Sequence, residues 1–213
     1  GLGNTRFKSS TNRAPRKITK GTKGEVKKDK IILKVLADVG LVGLPNVGKS
    51  SILAAISMAR PKIADYEFTT LYPNLGVVLI NEYEKFVVAD IPGLIKGASS
   101  GSGLGIQFLK HISRTKLLLH VIDITDNDTN KIAKDIAVIE TELKNYDGKL
   151  YNMNRWYVFN KTDLYEENDL TDLKNSIVKN YDSNVYFTST VNKKGLKDMC
   201  SDVWDHLRDI YND

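Results

Sequence analysis

Apolar residues along this chain recur in two rhythms. Short, nearly continuous runs form the first: Val35 to Val42, interrupted by Asp38, Phe86 to Ala89, Leu117 to Ile122, interrupted by His120, Trp156 to Phe159, and Tyr186-Phe187. Runs of this length bounded by polar or turn residues read as strands buried on both faces. The second rhythm is helical. Ile132, Ile136, Ile139 and Leu143 recur at spacings of 4, 3 and 4, and Leu196, Met199, Cys200, Val203, Trp204 and Leu207 mark one face of a last helix. The pattern predicts strands near 35–42, 75–81, 85–90, 117–122, 156–159 and 184–188. Helices are expected from about 52, and over 106–114, 129–146, 167–180 and 194–211. Residues 60–72 and 93–105 read as loops. Alternating strands and helices give a mostly parallel sheet with right-handed crossovers. The closely spaced pair at 75–81 and 85–90 is expected as a hairpin, making one edge antiparallel.

Composition adds bounds. With 213 residues the chain is long enough for one α/β domain plus an appendage. No run of 18 apolar residues occurs, so no membrane span is expected. The single Cys200 excludes an internal disulfide framework and sits on the apolar face of the last helix, where it reads as core. His111, His120 and His206 are scattered and suggest no metal cluster.

Charge divides the chain. Residues 1–34 hold 11 Lys/Arg against 2 Asp/Glu, a balance of +9, while the rest holds 20 against 24, a balance of −4. The expected organisation is therefore a basic arm over 1–34 and a folded domain over 35–213. The arm is either a solvated segment or an electrostatic contact with RNA phosphate, whose binding falls steeply with salt. Phe7 is its only aromatic residue, so base-specific recognition is not expected there.

Candidate chemistry lies where strands end. Gly43-Leu44-Pro45-Asn46-Val47-Gly48-Lys49-Ser50, followed by Ser51, fits G-x-x-x-x-G-K-[ST] between a strand and a helix. Such a turn aims backbone N–H groups and a helix N-terminus at one anion, with Lys49 for terminal phosphates and the Ser50 hydroxyl for magnesium. Asn160-Lys161-Thr162-Asp163 follows a second buried strand. A carboxylate there pairs with the ring N–H and exocyclic amine of guanine, a donor pair that adenine lacks. Asp90-Ile91-Pro92-Gly93 ends another strand, placing Asp90 to hold water on magnesium and Gly93 to sense a γ-phosphate. Ser189, Thr190 and Val191 end the last strand, and their amides are expected to meet the guanine carbonyl.

The stretch Asp38 to Asp123 resembles the G domain of the Obg family of ribosome-associated GTPases. The resemblance rests on the phosphate loop as quoted, Lys62 to Tyr66, Phe68-Thr69-Thr70-Leu71, Asn74 to Val78, and Asp90 to Ile95. It continues through Gly97 to Gly105, Phe108-Leu109, His111-Ile112 and Leu118 to Asp123. Beyond residue 125 it is looser. Gly3 to Pro15 resembles the tail of the glycine-rich domain that precedes the G domain in that family, the rest of which is expected before Gly1 in a longer protein.

The resemblance implies a P-loop NTPase of Ras-like type, with a mostly parallel six-stranded sheet, one antiparallel edge strand and helices on both faces. It implies a slow GTPase using Mg2+ and binding GTP and GDP, with the large ribosomal subunit or its rRNA as partner. Thr70 then joins Ser50 and Asp90 on magnesium, while the loop at 60–72, which carries Phe68, Thr69 and Thr70, and the loop at 93–105 form the two switches. Lys49, Thr70 and Gly93 are the expected catalytic set. Leu94 stands where Ras-like enzymes place a water-orienting glutamine, which implies a slow intrinsic rate. Glu67 departs from the family's proline. Asn46 stands where some relatives hold K+. Arg60 is either a finger in cis or simply solvated. Two alternatives remain open: a GTP-dependent ribosome-binding module with negligible turnover, and an RNA-binding protein whose affinity lies in residues 1–34. The cytoplasm, or the matrix of a mitochondrion or plastid, is the expected compartment.

Overall fold

Five parallel strands and two further strands added antiparallel at one edge form the sheet of the computed structural model, which describes residues 1–25, 37–63, 74–90, 115–146, 148–181 and 183–212. The chain divides into two units, Gly1–Leu33 and Lys34–Asp213.

In the second unit the strands are β1 (Val39–Val42), β2 (Lys62–Ile63), β3 (Asn74–Leu79), β4 (Lys85–Asp90), β5 (Leu117–Asp123), β6 (Arg155–Asn160) and β7 (Val185–Thr188). Their order is β2-β3-β4-β1-β5-β6-β7. The helices are α1 (Lys49–Ile56), α2 (Thr129–Tyr146), α3 (Gly148–Tyr151), α4 (Glu167–Val178) and α5 (Leu196–Asn212). Strand β1 pairs in parallel with β4 on one side and β5 on the other, and β6 and β7 extend the parallel run. The six expected strands are present, with β3 antiparallel to β4. A seventh, β2, lies beyond β3, so β3 is not the outermost strand. Two residues are too few to show an alternation, which is why the sequence pattern left 60–72 as loop. The first strand begins at Val39; Asp38 instead turns its carboxylate to the Val87 amide at 2.8 Å.

Side chains along each strand alternate between two cores. Leu117, Leu119 and Val121 join Ile52 and Leu53 of α1 and the apolar stripe Leu196, Met199, Cys200, Val203 and Leu207 of α5. On the opposite face Leu118 meets Ile139 and Leu143 of α2, and Ile122 meets Ile132 and Ile136 with Leu170, Leu173 and Ile177 of α4. Helices thus cover both faces. Cys200 is buried, and burial pushes its thiol up to about 12, so it stays a neutral core group as expected. The predicted helix over 106–114 lies outside the described residues.

Among residues 1–25, Asn4–Phe7 form a short 3-10 turn. All seven Lys and Arg side chains there are exposed.

Candidate functional site

The sheet delivers one chemically distinct group at the carboxyl end of each parallel strand: Gly43 after β1, Asp90 of β4, Asp123 of β5, Asn160 of β6 and Ser189 after β7. The strand order reverses at β1, whose partners on either side come later in sequence. Crevices at such a reversal are where open α/β sheets take ligands.

The phosphate-loop pattern forms the turn between β1 and α1. Its shape depends on two glycines. Gly43 has φ +148°, and a Cβ there would lie 2.3 Å from the Val121 carbonyl oxygen. Gly48 has φ +100°, and a Cβ there would lie 2.3 Å from Asn160 Nδ2. Any other residue at either position would strain the backbone and collide with a neighbouring strand. Leu44 is half-buried, Pro45 and Asn46 are exposed with Asn46 at φ +62°, and Val47 is buried beneath the turn. The Lys49 ammonium donates to the Gly43 and Leu44 carbonyls, each at 2.8 Å. Burial holds its pKa below the usual lysine value, against the opposing pull of Asp90. The ammonium thus lies inside the turn, with a third donor available to an anion.

Ser50 donates its hydroxyl to Asp90 Oδ2 at 2.5 Å. Asp90 is 2 % exposed, and its Oδ1 is buried with no hydrogen-bond partner among the described residues. A hydroxyl and a carboxylate with one unpaired buried oxygen are a donor set that fits magnesium, which takes one or two protein oxygens and keeps its waters. No group of three His, Cys, Asp or Glu able to hold a metal occurs among the described residues, so a site built wholly from such side chains is not found there.

The second predicted motif lies two strands away and is tied to the first by one bond. Asn160 Nδ2 donates to the Val47 carbonyl at 3.0 Å, and Thr188 Oγ1 donates to Asn160 Oδ1 at 3.3 Å. Thr162 donates to the Thr188 carbonyl at 3.1 Å. These bonds lock the ends of β6 and β7 together. Ser189 then donates its hydroxyl to Asp163 Oδ1 at 2.5 Å, which fixes the carboxylate and leaves Oδ2 for a ligand's donors. The Ser189 amide is spent on Lys194 O at 3.1 Å, and the Val191 amide points at Ser189 Oγ at 3.2 Å. Thr190's amide takes part in neither bond. The sequence pattern predicts these amides as ligand contacts; with its amide engaged by Lys194, Ser189 has in addition a side-chain task at Asp163.

Sequence reasoning also left unassigned a set of groups beside this motif. Lys161 donates to Asp123 Oδ2 at 2.5 Å, and Asp123 Oδ1 accepts from the Thr125 hydroxyl at 2.5 Å and amide at 2.9 Å. Burial alone would raise the Asp123 pKa, but the bonds from Lys161 and Thr125 outweigh it and hold the carboxyl below the usual carboxylate range. The available signal was a buried run, Leu117 to Ile122, ending in a carboxylate at the same sheet edge. His120, opposite Val42 in the β1–β5 register, is 1 % exposed, with no partner for Nδ1 among the described residues. Burial, with the positive charges of Arg155 and Lys49, pushes it down to about 3, so it is neutral.

Phe68, Thr69, Thr70, Ile91, Pro92, Gly93 and Leu94 lie outside the described residues, as does Glu67. Arg60 is exposed. No helix among the described residues is long and apolar enough to cross a membrane.

This fold recurs in solved structures. The G domain of the Thermotoga maritima FeoB iron transporter is similar over 78 % of this chain and 94 % of its own, with 18 % identity and a TM-score of 0.56. A nucleolar GTP-binding protein 1 from Plasmodium falciparum is similar over 82 % of this chain and 87 % of its own, with 20 % identity and a TM-score of 0.57. Aquifex aeolicus Era, bound to GDP and AlF4−, is similar over 79 % of this chain and 56 % of its own, with 23 % identity and a TM-score of 0.57. Residues 38–161, which span the phosphate loop through Lys161, match the family of 50S ribosome-binding GTPases. With that match over more than half its length, the chain belongs to the 50S ribosome-binding GTPase family and contains its GTP-binding G domain.

Proposed function

We propose that this chain is a guanine-nucleotide switch of the Obg type that hydrolyses GTP slowly and acts on the large ribosomal subunit or its RNA. The observation that carries the guanine reading is the Asp163 carboxylate, held by Ser189 at the sheet edge and linked through Asn160 to the phosphate loop. One oxygen of Asp163 is fixed by the Ser189 hydroxyl, which leaves the other as an acceptor. A ring N–H and an exocyclic amine suit that acceptor; adenine would leave it unpaired.

At the other end, the loop amides from Asn46 to Ser51 and the Lys49 ammonium receive the phosphates. Ser50 and Asp90 are the described residues that would hold magnesium, with Thr70 from the expected first switch. Bound there, magnesium would neutralise charge on the transferring phosphates. The protein's contribution to hydrolysis is then positioning and charge stabilisation by Lys49 and by the Gly93 amide. Leu94 cannot orient water, so the intrinsic rate is slow and a partner or a K+ ion beside Asn46 supplies the rest. The seven exposed cations of residues 1–25 support contact with RNA phosphate.

Single-turnover hydrolysis of GTP and ATP, in sodium and in potassium, for the protein and for Lys49→Ala, tests the reading. The expected result is slow turnover of GTP alone, lost in the variant; faster turnover in potassium assigns the missing help to a K+ ion beside Asn46, and equal rates in the two salts assign it to a partner. Equal use of ATP overturns the role of Asp163. Tight GTP binding without turnover makes the chain a binding module.

A further inference from the structure

We propose that Asp123 is a positioning residue for base recognition: it holds Lys161 as a rail along one face of the purine while Asp163 reads the edge. The inference rests on the guanine reading above and adds to it a residue that neither the phosphate-loop pattern nor the second motif contains.

Lys161 lies between Asn160, which reaches the phosphate loop, and Thr162-Asp163, whose carboxylate is held by Ser189 and is proposed above to read the base. Its backbone is left-handed, at φ +74°, a conformation that a non-glycine residue holds only when its surroundings fix it. A lysine with a free head would sample many rotamers and lose that freedom when a ligand arrives. Here the head is anchored at 2.5 Å from Asp123 Oδ2.

The anchor itself is fixed. Asp123 and Asn160 are register partners at the ends of β5 and β6. The remaining oxygen of Asp123 is engaged by both Thr125 donors. The loop that follows is bolted to the motif from the other side: Tyr165 donates its hydroxyl to the Ile124 carbonyl and accepts from the Asn127 amide at 2.9 Å. Two independent links thus join the end of β5 to the loop carrying Lys161 and Asp163.

With its head held, the methylene stem of Lys161 becomes a preformed apolar surface beside the base edge. The side chains of Lys161 and Asp123 are 33 % and 28 % exposed, so solvent screens the charge attraction and the gain is mainly orientation. A face contact is indifferent to ring substituents, whereas the edge contact of Asp163 is not.

GDP and IDP affinities, measured by fluorescence titration with the full chain, separate these roles. Asp123→Asn is expected to weaken both nucleotides about fivefold, leaving the GDP/IDP ratio unchanged, with the loss in KM for GTP rather than in kcat. Lys161→Ala is expected to weaken them at least as much, and the double variant no further. Additive losses, or an unchanged affinity in Asp123→Asn, would mean that the pair merely staples β5 to β6. A changed GDP/IDP ratio would place Asp123 behind Asp163 instead and overturn the proposal. If Asp123→Asn fails to fold, Thr125→Val carries the test: an affinity loss of about twofold that vanishes in the Lys161→Ala background supports the role, and no loss overturns it. If the unaltered protein does not distinguish GDP from ADP, the guanine reading and this inference fall together. A clear distinction with an additive cycle removes only the inference.

Discussion

The two ends of the candidate site are built by different means. At the end formed by the phosphate-loop pattern the framework is backbone: a turn of eight residues whose shape follows from two glycines at positive φ, with Lys49 folded onto the turn's own carbonyls. At the base end they are side chains supported by other side chains, Ser189 behind Asp163 and Asp123 behind Lys161. One bond, Asn160 to the Val47 carbonyl, spans the two. A backbone site tolerates changes in its side chains but not in its dihedrals. A side-chain site fails by degrees as its supports are removed.

The largest effect should come from the base end. Asp163→Ala is expected to reduce the preference for GTP over ATP by about 10³ or more, measured as the ratio of equilibrium affinities. An intact preference would show that the edge is read elsewhere. At the phosphate end, Lys49→Ala should weaken GTP about 100-fold while GDP loses less, because the ammonium serves terminal phosphates. Equal losses for both nucleotides would mean that Lys49 only shapes the turn. Gly48→Ala attacks the seam: the new Cβ collides with Asn160 Nδ2, so both ends should shift and GTP affinity should fall about 30-fold. If that variant binds normally, the ends are not coupled through Asn160.

Mild acid should probe the strand beneath the phosphate end. His120 lies opposite Val42 and is neutral, with its folded pKa depressed from 6.5 to about 3. The unfolded chain takes up a proton on this group that the folded chain refuses. Its stabilising effect is complete above pH 6.5 and is lost as pH falls toward about 3. The slope is at most about 1.4 kcal/mol per pH unit, a tenfold change in the folding constant. Urea midpoints between pH 7 and 4 should show that slope and lose it in His120→Gln. The smallest effect is expected from Ser189→Ala, which frees the Asp163 carboxylate and should weaken GDP about fivefold without removing the preference for guanine.

The same contrast explains what could be read in advance. The phosphate loop was legible because its chemistry is local: glycines, lysine and serine within eight consecutive residues, between a buried strand and a helix. The strand runs and the stripes of α2 and α5 were legible because burial imposes a period. The supports at the base end were not, because Ser189 lies 26 residues from Asp163 and Asp123 lies 38 from Lys161. Nothing in local patterning pairs them; the parallel register of β5, β6 and β7 does. The two-residue β2 and the four-residue α3 fell below the length at which a period can show. Thr70 and Gly93 belong to segments outside the described residues, and their roles rest on the sequence.

The β3–β4 hairpin is closed by Asn81, whose side-chain oxygen accepts from the Tyr83 and Glu84 amides at 3.0 and 2.9 Å. Its open end pairs Asn74 with Asp90. The start of β3 and the end of β4 therefore lie on the same rung of one ladder, about 5 Å apart. A slip of one residue would bring Leu75 or Val77 to the place of buried Gly76, where even a Cβ would collide with the side chains of Ser57 and Leu53. The ladder therefore resists sliding and behaves as a stiff coupling rod: a pull on Asn74 or on Asp90 reaches the other as a common displacement of both strand ends.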